Sequence, residues 1–291
     1  MGGADHRGSR GGIRVSFGSR ARAALDAYGP VCVGIDPHAA LLDEWGAGDD
    51  LAGLKSFAAT CVEAFAGQVG FVKPQSAFFE RFGSAGIRVL EDTIAGLRHT
   101  GTLVILDVKR GDIGSTAAAY ADAYLDEDSP LGADAVTVSP YLGFGSLDPF
   151  FGVAEQNDAG VFVLALTSNP EAPQVQHATG SDGSTVAGTI LGDLRRLNAD
   201  SAPMGSFGAV VGATIGSTSE NLDINGPLLV PGFGAQGGTT DDVRRLFDGV
   251  LNRVIVSTSR GVLAHGPDVH ALRESATRLN RELVGSLNTD G

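Results

Sequence analysis

Leu103-Val104-Ile105-Leu106-Asp107-Val108-Lys109-Arg110-Gly111-Asp112-Ile113, followed by Gly114 and Ser115-Thr116-Ala117-Ala118-Ala119-Tyr120, spells one strand, one turn and the start of one helix. The apolar run Leu103 to Leu106 reads as a buried strand, and charged groups crowd its C-terminal end. On a strand, Asp107 and Lys109 project to the same face, roughly 6–7 Å apart along it. Asp112 follows at the turn. Alternating charges at the buried end of a sheet are costly unless they pair or do chemistry. For an isolated D-x-K a structural ion pair is the ordinary explanation, so the rest of the chain has to decide.

The same strand–turn–helix unit recurs. Short β-rich runs occur at Val31–Ile35, Gly70–Lys73, Leu103–Val108, Ala135–Val138, Val161–Leu166, Ala209–Ala213, Leu228–Val230 and Val254–Val256. Helix-period stretches lie between or after them, at Leu54–Ala66, Ala85–Arg98, Ser115–Leu125, Ser146–Asn157, Val186–Asn198, Thr240–Gly249 and Val269–Val284. Ser146 and Thr240 stand where N-caps belong, and Ser217 is expected to open a short helix after strand six. Eight such units in about 260 residues match the count and size of a (β/α)8 TIM barrel, the α/β class, as a single domain over residues 13–291. A doubly wound open sheet is the alternative. It usually has fewer strands and a G-x-G-x-x-G after the first, where this chain has Gly34-Ile35-Asp36-Pro37-His38. Residues 1–12, rich in Gly and Arg, are expected to be a disordered extension. The polar stretch 168–184 after strand five has the length of a lid.

Composition narrows the function. Of 291 residues, 43% are hydrophobic, enough for a sizeable core. No apolar run reaches the ~18 residues of a membrane span. Arg7, Arg10, Arg14, Arg20 and Arg22 are not followed by the apolar segment of a secretory signal. Cys32 and Cys61 both lie in apolar segments and read as free thiols of a reduced cytoplasm. No His or Cys spacing suggests a zinc site, and His38 has no partner in the sequence. A net charge of −13 argues against nucleic-acid binding, yet leaves room for a basic pocket that takes a small anion. The 42 glycines are roughly twice the usual ~7% share, and many directly follow strands.

In a barrel the chemistry collects where the strands end. Those ends carry Asp36, Lys73, Asp107 with Lys109, Thr167 with Ser168, Gln236 and Arg260, and the opposite ends show nothing comparable. Taken singly, Lys73 could snorkel, Asp36 could cap a turn and Arg260 could pair at the surface. Their convergence on one rim is harder to explain that way. Pro231-Gly232-Phe233-Gly234-Ala235-Gln236-Gly237-Gly238 follows strand seven and Ser257-Thr258-Ser259-Arg260-Gly261 follows strand eight. Phosphate-binding barrels use these two loops, and Arg260 is a bidentate cation suited to a phosphate.

These motifs, with Lys73-Pro74-Gln75 and Asp107-x-Lys109-x-x-Asp112-Ile113, resemble those of orotidine 5′-monophosphate decarboxylases, in particular the longer bacterial branch. The resemblance covers all but the first ~12 and last few residues, and no position of its charged network departs from the pattern. It implies that Lys73, Asp107, Lys109 and Asp112 form an alternating network. Lys109 would donate a proton to C6 of the pyrimidine, Asp107 would lie beside the substrate carboxylate, and Lys73 would also reach the ribose. It further implies a homodimer whose partner supplies Asp112. Asp36 and Thr116 would meet the ribose, Ser168 the pyrimidine, and Gln236 and Arg260 the phosphate; Ile113 and Pro231 complete the substrate-binding set. No cofactor and no metal is implied. The N-terminal extension is atypical and receives no role.

Two other functions compete. Metal-dependent sugar-phosphate relatives share the barrel and the D-x-K-x-x-D motif, but look as though they place an acid at the end of strand two. Lys73 stands there and would repel a cation. A barrel that had lost catalysis and kept phosphate binding would be expected to lack Lys109 or Asp112, and both are present.

Overall fold

The computed structural model describes residues 15–287. The expected disorder of residues 1–12 therefore lies outside the described residues. Helix α1 (Phe17–Tyr28) precedes β1 (Val31–Ile35). Then come α2 (Ala39–Glu44), α3 (Leu51–Phe65), β2 (Phe71–Pro74), α4 (Ser76–Glu80) and α5 (Gly83–Arg98). β3 (Leu103–Arg110), α6 (Gly114–Leu125), β4 (Ala135–Val138), α7 (Asp148–Gln156) and β5 (Gly160–Leu166) follow. The second half holds α8 (Pro173–Gln176), α9 (Val186–Leu197), β6 (Phe207–Val211), β7 (Leu228–Val230) and α10 (Thr240–Leu246). β8 (Val254–Thr258), α11 (Arg260–Leu263) and α12 (Val269–Leu287) end the chain's described part. Each strand pairs in parallel with the next and β8 closes on β1, so the architecture is the expected (β/α)8 barrel.

The strands are buried along almost their whole length because helices cover one face and the barrel interior the other. Outward-facing residues such as Val33, Val72, Val104 and Val136 pack under the helices. Inward-facing Cys32, Phe71, Ile105, Ala135, Phe162, Val210, Leu229 and Ile255 fill the barrel itself.

Helix α1, which the periodicity reading did not include, plugs the N-terminal end of the barrel. Ser16 caps it by accepting from Ser19 N. Phe17 is fully buried and meets Phe162 edge-on at 6.0 Å between ring centroids. Gly160 makes that approach possible, since a Cβ there would stand 2.3 Å from the Phe17 ring. Arg20 clamps the plug by donating to Asp134 Oδ1 at 2.5 Å and to Asp158 O at 2.8 Å. Asp134 Oδ2 accepts from Val104 N at 2.9 Å, so the bottom rim does hold one buried charge, in a structural role.

Three local expectations are corrected. Thr239, not Thr240, caps α10, in a capping box with Asp242 that satisfies donors in both directions. Ser146 lies inside a 3-10 turn, Phe144–Leu147, and donates to Gly143 O at 2.7 Å instead of capping α7. Ser217 opens no helix, and residues 212–227 form an irregular crossing from β6 to β7. There the short polar side chains capture the backbone: Thr218 accepts from Glu220 N, and Asn221 from Asp223 N.

Candidate active site

A cavity of about 480 Å³ opens at the C-terminal ends of the strands. It is lined by Asp36, His38, Lys73, Gln75, Asp107, Lys109, Thr137 and Thr167, with Pro231, Gln236, Ser259 and Arg260 along the β7–β8 side. Below it the barrel interior turns apolar.

The charged chain on the cavity floor runs through Asp107. Lys73 Nζ donates to Asp107 Oδ2 at 2.8 Å and Lys109 Nζ to Asp107 Oδ1 at 2.5 Å. Thr137 adds a third bond to Oδ1 at 2.8 Å. Lys73 and Asp107 are each 5% exposed, whereas the Lys109 side chain is 45% exposed and reaches into the opening. Burial opposes the charge on Lys73, but Asp107 and, beyond it, Asp36 outweigh that and raise its pKa above the ordinary lysine range. Burial likewise opposes the charge on Asp107, and Lys73 and then Lys109 overcome it, holding its carboxyl well below the usual range. Both groups are therefore ionised at neutral pH.

Lys109 reaches Asp107 by a route that simple strand alternation does not describe. The β3–β4 register pairs Leu106 with Val136 and Arg110 with Val138, and Lys109 has φ 47°. The strand bulges there and turns the lysine inward. Arg110 points elsewhere, donating to Glu80 Oε1 at 2.6 Å, which also accepts from Ser76 at 2.6 Å.

Asp36 accepts a hydrogen bond from Ser259 Oγ, and its other oxygen, Oδ1, is buried without a hydrogen-bond partner among the described residues. An unfilled carboxylate acceptor beside a cavity calls for a ligand donor. His38 caps α2, its Nδ1 accepting from Leu41 N at 3.2 Å, which leaves Nε2 as the proton-bearing nitrogen.

The glycine-rich loop after β7 is more self-contained than its composition suggests. Gly234 N donates to Gly238 O at 2.8 Å, Gly237 N to Gly234 O at 2.8 Å and Gly238 N to Gly232 O at 3.0 Å. Gly232, Gly234 and Gly237 take φ 93°, 73° and 94°, which only glycine adopts cheaply. The N–H groups of Gly234, Gly237 and Gly238 are engaged within the loop, while Ala235, Gln236 and, after β8, Arg260 line the cavity.

The structure thus brings Asp36, Lys73, Asp107, Lys109, Pro231, Gln236 and Arg260 together around one cavity. It does not bring Asp112, Ile113, Thr116 or Ser168 to that cavity within this chain. Asp112 accepts from Ile113 N at 2.8 Å at the β3–α6 turn, and Thr116 and Ser168 are exposed. Thr167 lines the cavity where Ser168 was expected; Gln176 from α8 donates to its hydroxyl at 2.7 Å and accepts from its N–H at 2.8 Å. Thr137, His38 and Ser257 line the cavity without having been singled out as site residues. The one available signal for Thr137 was a hydroxyl on the inward face of an otherwise apolar strand, Ala135-Val136-Thr137-Val138.

Residues 29–275 match the family model described as Orotidine 5′-phosphate decarboxylase / HUMPS family. The chain is 63% identical over 273 residues to the orotidine 5′-phosphate decarboxylase of Nocardioides sp., covering 92% of this chain and 99% of that one. It is 59% identical over 268 residues to the Streptomyces coelicolor enzyme of the same name, covering 92% and 96%. Among solved structures, a Streptomyces avermitilis protein described as an orotidine 5′-phosphate decarboxylase superposes with TM-score 0.93 at 56% identity, over 96% of this chain and 98% of that one. The Leishmania donovani OMP decarboxylase superposes with TM-score 0.71 at 28% identity, over 94% and 99%.

Proposed function

The chain belongs to the orotidine 5′-phosphate decarboxylase / HUMPS family, and we propose that it is a carboxy-lyase that converts orotidine 5′-monophosphate to UMP and CO2, the last step of pyrimidine nucleotide biosynthesis. The observation that carries this reading is the Lys73–Asp107–Lys109 chain on the cavity floor, with Arg260 and Gln236 lining the same cavity. The phosphate binds Arg260 and Gln236. The ribose hydroxyls meet the free oxygen of Asp36 and the ammonium of Lys73. The pyrimidine carboxylate then lies beside Asp107 and Lys109.

In the reaction the C6–carboxylate bond breaks and CO2 leaves with its electron pair remaining on C6. Lys109 Nζ stabilises that pair by its charge and transfers a proton to C6; the neutral amine regains a proton from solvent. No cofactor takes part. At an effective dielectric near 20, an ammonium at ~4 Å contributes about 4 kcal/mol. Enzymes lower barriers by roughly 8–23 kcal/mol, so binding energy from the phosphate end has to supply much of the remainder.

Asp112 belongs to the same network through a second copy of the chain. Within one chain it stays at the β3–α6 turn, beside exposed apolar side chains: Ile113 on that turn, and Tyr141 and Leu142, 77% and 52% exposed, on the neighbouring loop after β4. A homodimer that buries this surface delivers Asp112, Ile113 and Thr116 to the partner's cavity. Ser168 reaches the pyrimidine when the 168–184 segment folds over it. Among the described residues no helix is long and apolar enough to cross a membrane. The proposed substrate, a dissolved nucleotide, places the enzyme's work in the cytoplasm.

The test is turnover of orotidine 5′-monophosphate in the presence of a chelator, followed by loss of pyrimidine absorbance, for the wild type beside Lys109→Ala. Turnover that survives chelation and collapses in the variant is expected. No turnover by the folded wild-type protein sinks the reading.

A further inference from the structure

The bulge that aims Lys109 has a cause outside its own strand. Three residues of β3, Asp107, Val108 and Lys109, stand against a single residue of β4, Thr137. A bulge leaves backbone donors without ladder partners, and buried donors need them. The Thr137 hydroxyl supplies both. Its oxygen accepts from Val108 N at 3.1 Å and from Lys109 N at 3.0 Å. With both lone pairs taken, its one proton must point the other way, and it donates to Asp107 Oδ1 at 2.8 Å. The side chain is 1% exposed, so water does not share these bonds.

We propose that Thr137 is a positioning residue for the decarboxylation: its hydroxyl holds the bulge that presents Lys109 to substrate and fixes the plane of the Asp107 carboxylate between the two ammonium groups. The proposal rests on the decarboxylase reading above. Asp107 Oδ2 accepts from Lys73 while Oδ1 accepts from Lys109 and Thr137. The neutral donor settles which oxygen faces which lysine. Without it the carboxylate could swing about its last torsion, which is broad for an aspartate. Lys109 would also lose the contact that holds its backbone in the left-handed region. The phosphate contacts and the Asp36 contact to the ribose come from other strands and stay in place.

Thr137→Val keeps the shape and removes all three bonds, and Thr137→Ser keeps the hydroxyl. Displacements of about 1 Å in a reacting group can cost about 100-fold in rate. The valine variant is therefore expected to lose on the order of 100-fold in kcat, with KM and UMP affinity within about threefold of wild type, and serine to restore kcat to within about fivefold. A side chain that merely fills the barrel would shift thermal stability and leave kcat unchanged. Valine with wild-type kcat overturns the proposal, as does serine that fails to restore it, or a loss confined to KM. If valine prevents folding, Thr137→Ala and Thr137→Ser carry the test: serine faster than alanine supports the role, and equal rates overturn it. Absence of turnover in the wild type refutes the decarboxylase reading itself, a result distinct from active wild type and equally active valine variant.

Discussion

Replacing Asp107 by asparagine keeps the shape at the centre of the network and removes its charge. In the folded protein Lys73 stands 2.8 Å from the Asp107 carboxylate, with 7% of each side chain exposed. At an effective dielectric near 20 that attraction is about 6 kcal/mol, set against a desolvation penalty of several kcal/mol for burying the ammonium. Lys109 adds less, because its side chain is 45% exposed and solvent screens it. Asp107→Asn leaves Lys73 buried with its main counter-charge gone, a change that costs about 3–5 kcal/mol. The pH dependence tests the cause. In the wild type the folded-state pKa of Lys73 is raised, so its contribution is fully present below the unfolded value of about 10.4 and is lost only as pH rises through the folded value. No slope arises from this group between about pH 6 and 9. In the variant Asp36 is the main charge left to oppose burial, and the folded pKa of Lys73 falls. The two folded proteins then differ in protons bound only as pH rises through the variant's lowered folded value, so the deficit is constant below that value and narrows above it. Denaturant unfolding of both proteins at several pH values reads this directly. A deficit below about 1 kcal/mol, or one that fails to narrow as pH is raised into the alkaline range, refutes the argument that Asp107 sustains a buried charge on Lys73.

Other consequences are more local. The depressed pKa of Asp107 makes its contribution present above the unfolded value of about 3.9 and lost as pH falls below it, so the acid limb of wild-type unfolding is steeper than that of Asp107→Asn. Arg260→Ala removes an exposed guanidinium from the cavity edge; KM for the nucleotide is expected to rise about 10–100-fold while stability changes by less than about 0.5 kcal/mol, and an unchanged KM would place the phosphate elsewhere. Phe17→Ala empties the barrel's plugged end, and calorimetry is expected to show a loss of about 3–5 kcal/mol with KM unaltered. Burial pushes the Cys32 thiol up to about 12, so iodoacetamide near neutral pH is expected to label it only after denaturation, and rapid labelling of the native protein contradicts its place inside the barrel.

What the sequence made legible follows from which physics each feature uses. Strands buried on both faces are continuous apolar runs, and β1, β4 and β7 begin and end where those runs do. The charges at the strand ends were equally visible, because each has an ordinary explanation alone and their convergence on one rim does not. Features set by tertiary contact were hidden. Helix α1 mixes arginines with alanines and earns its place only through Phe17 and Leu25 against the barrel interior. Thr137 looks like any strand threonine until β3 bulges against it. The β6–β7 crossing carries serine and threonine that suit a helix start, yet the Thr218 hydroxyl accepts from Glu220 N within the same loop. Asp112 was legible as part of a motif, but within one chain the structure leaves it at the β3–α6 turn, outside the cavity lining.

The two ends of the barrel interior divide the energetic labour. Toward the N-terminal end Cys32, Phe71, Ile105, Ala135, Phe162 and Ile255 pack against one another and against Phe17, burying apolar area that stabilises the closed sheet. One layer higher on the same strands stand Lys73, Asp107, Thr137 and Ser257, all buried or nearly so. These groups gain little net stability from pairing, since desolvation offsets most of their attraction. Their arrangement is nevertheless tightly determined: each carboxylate oxygen of Asp107 has a named donor and the threonine hydroxyl has no bonding capacity left over. A layer that contributes little to folding yet is held in one geometry fits a role in catalysis, where charges fixed before the substrate arrives need no reorganisation as the reaction proceeds. The apolar layer and the α1 plug are what allow the barrel to hold that layer in place. Weakening the plug should therefore lower stability well before it alters the chemistry, whereas removing the Thr137 hydroxyl should alter the chemistry directly.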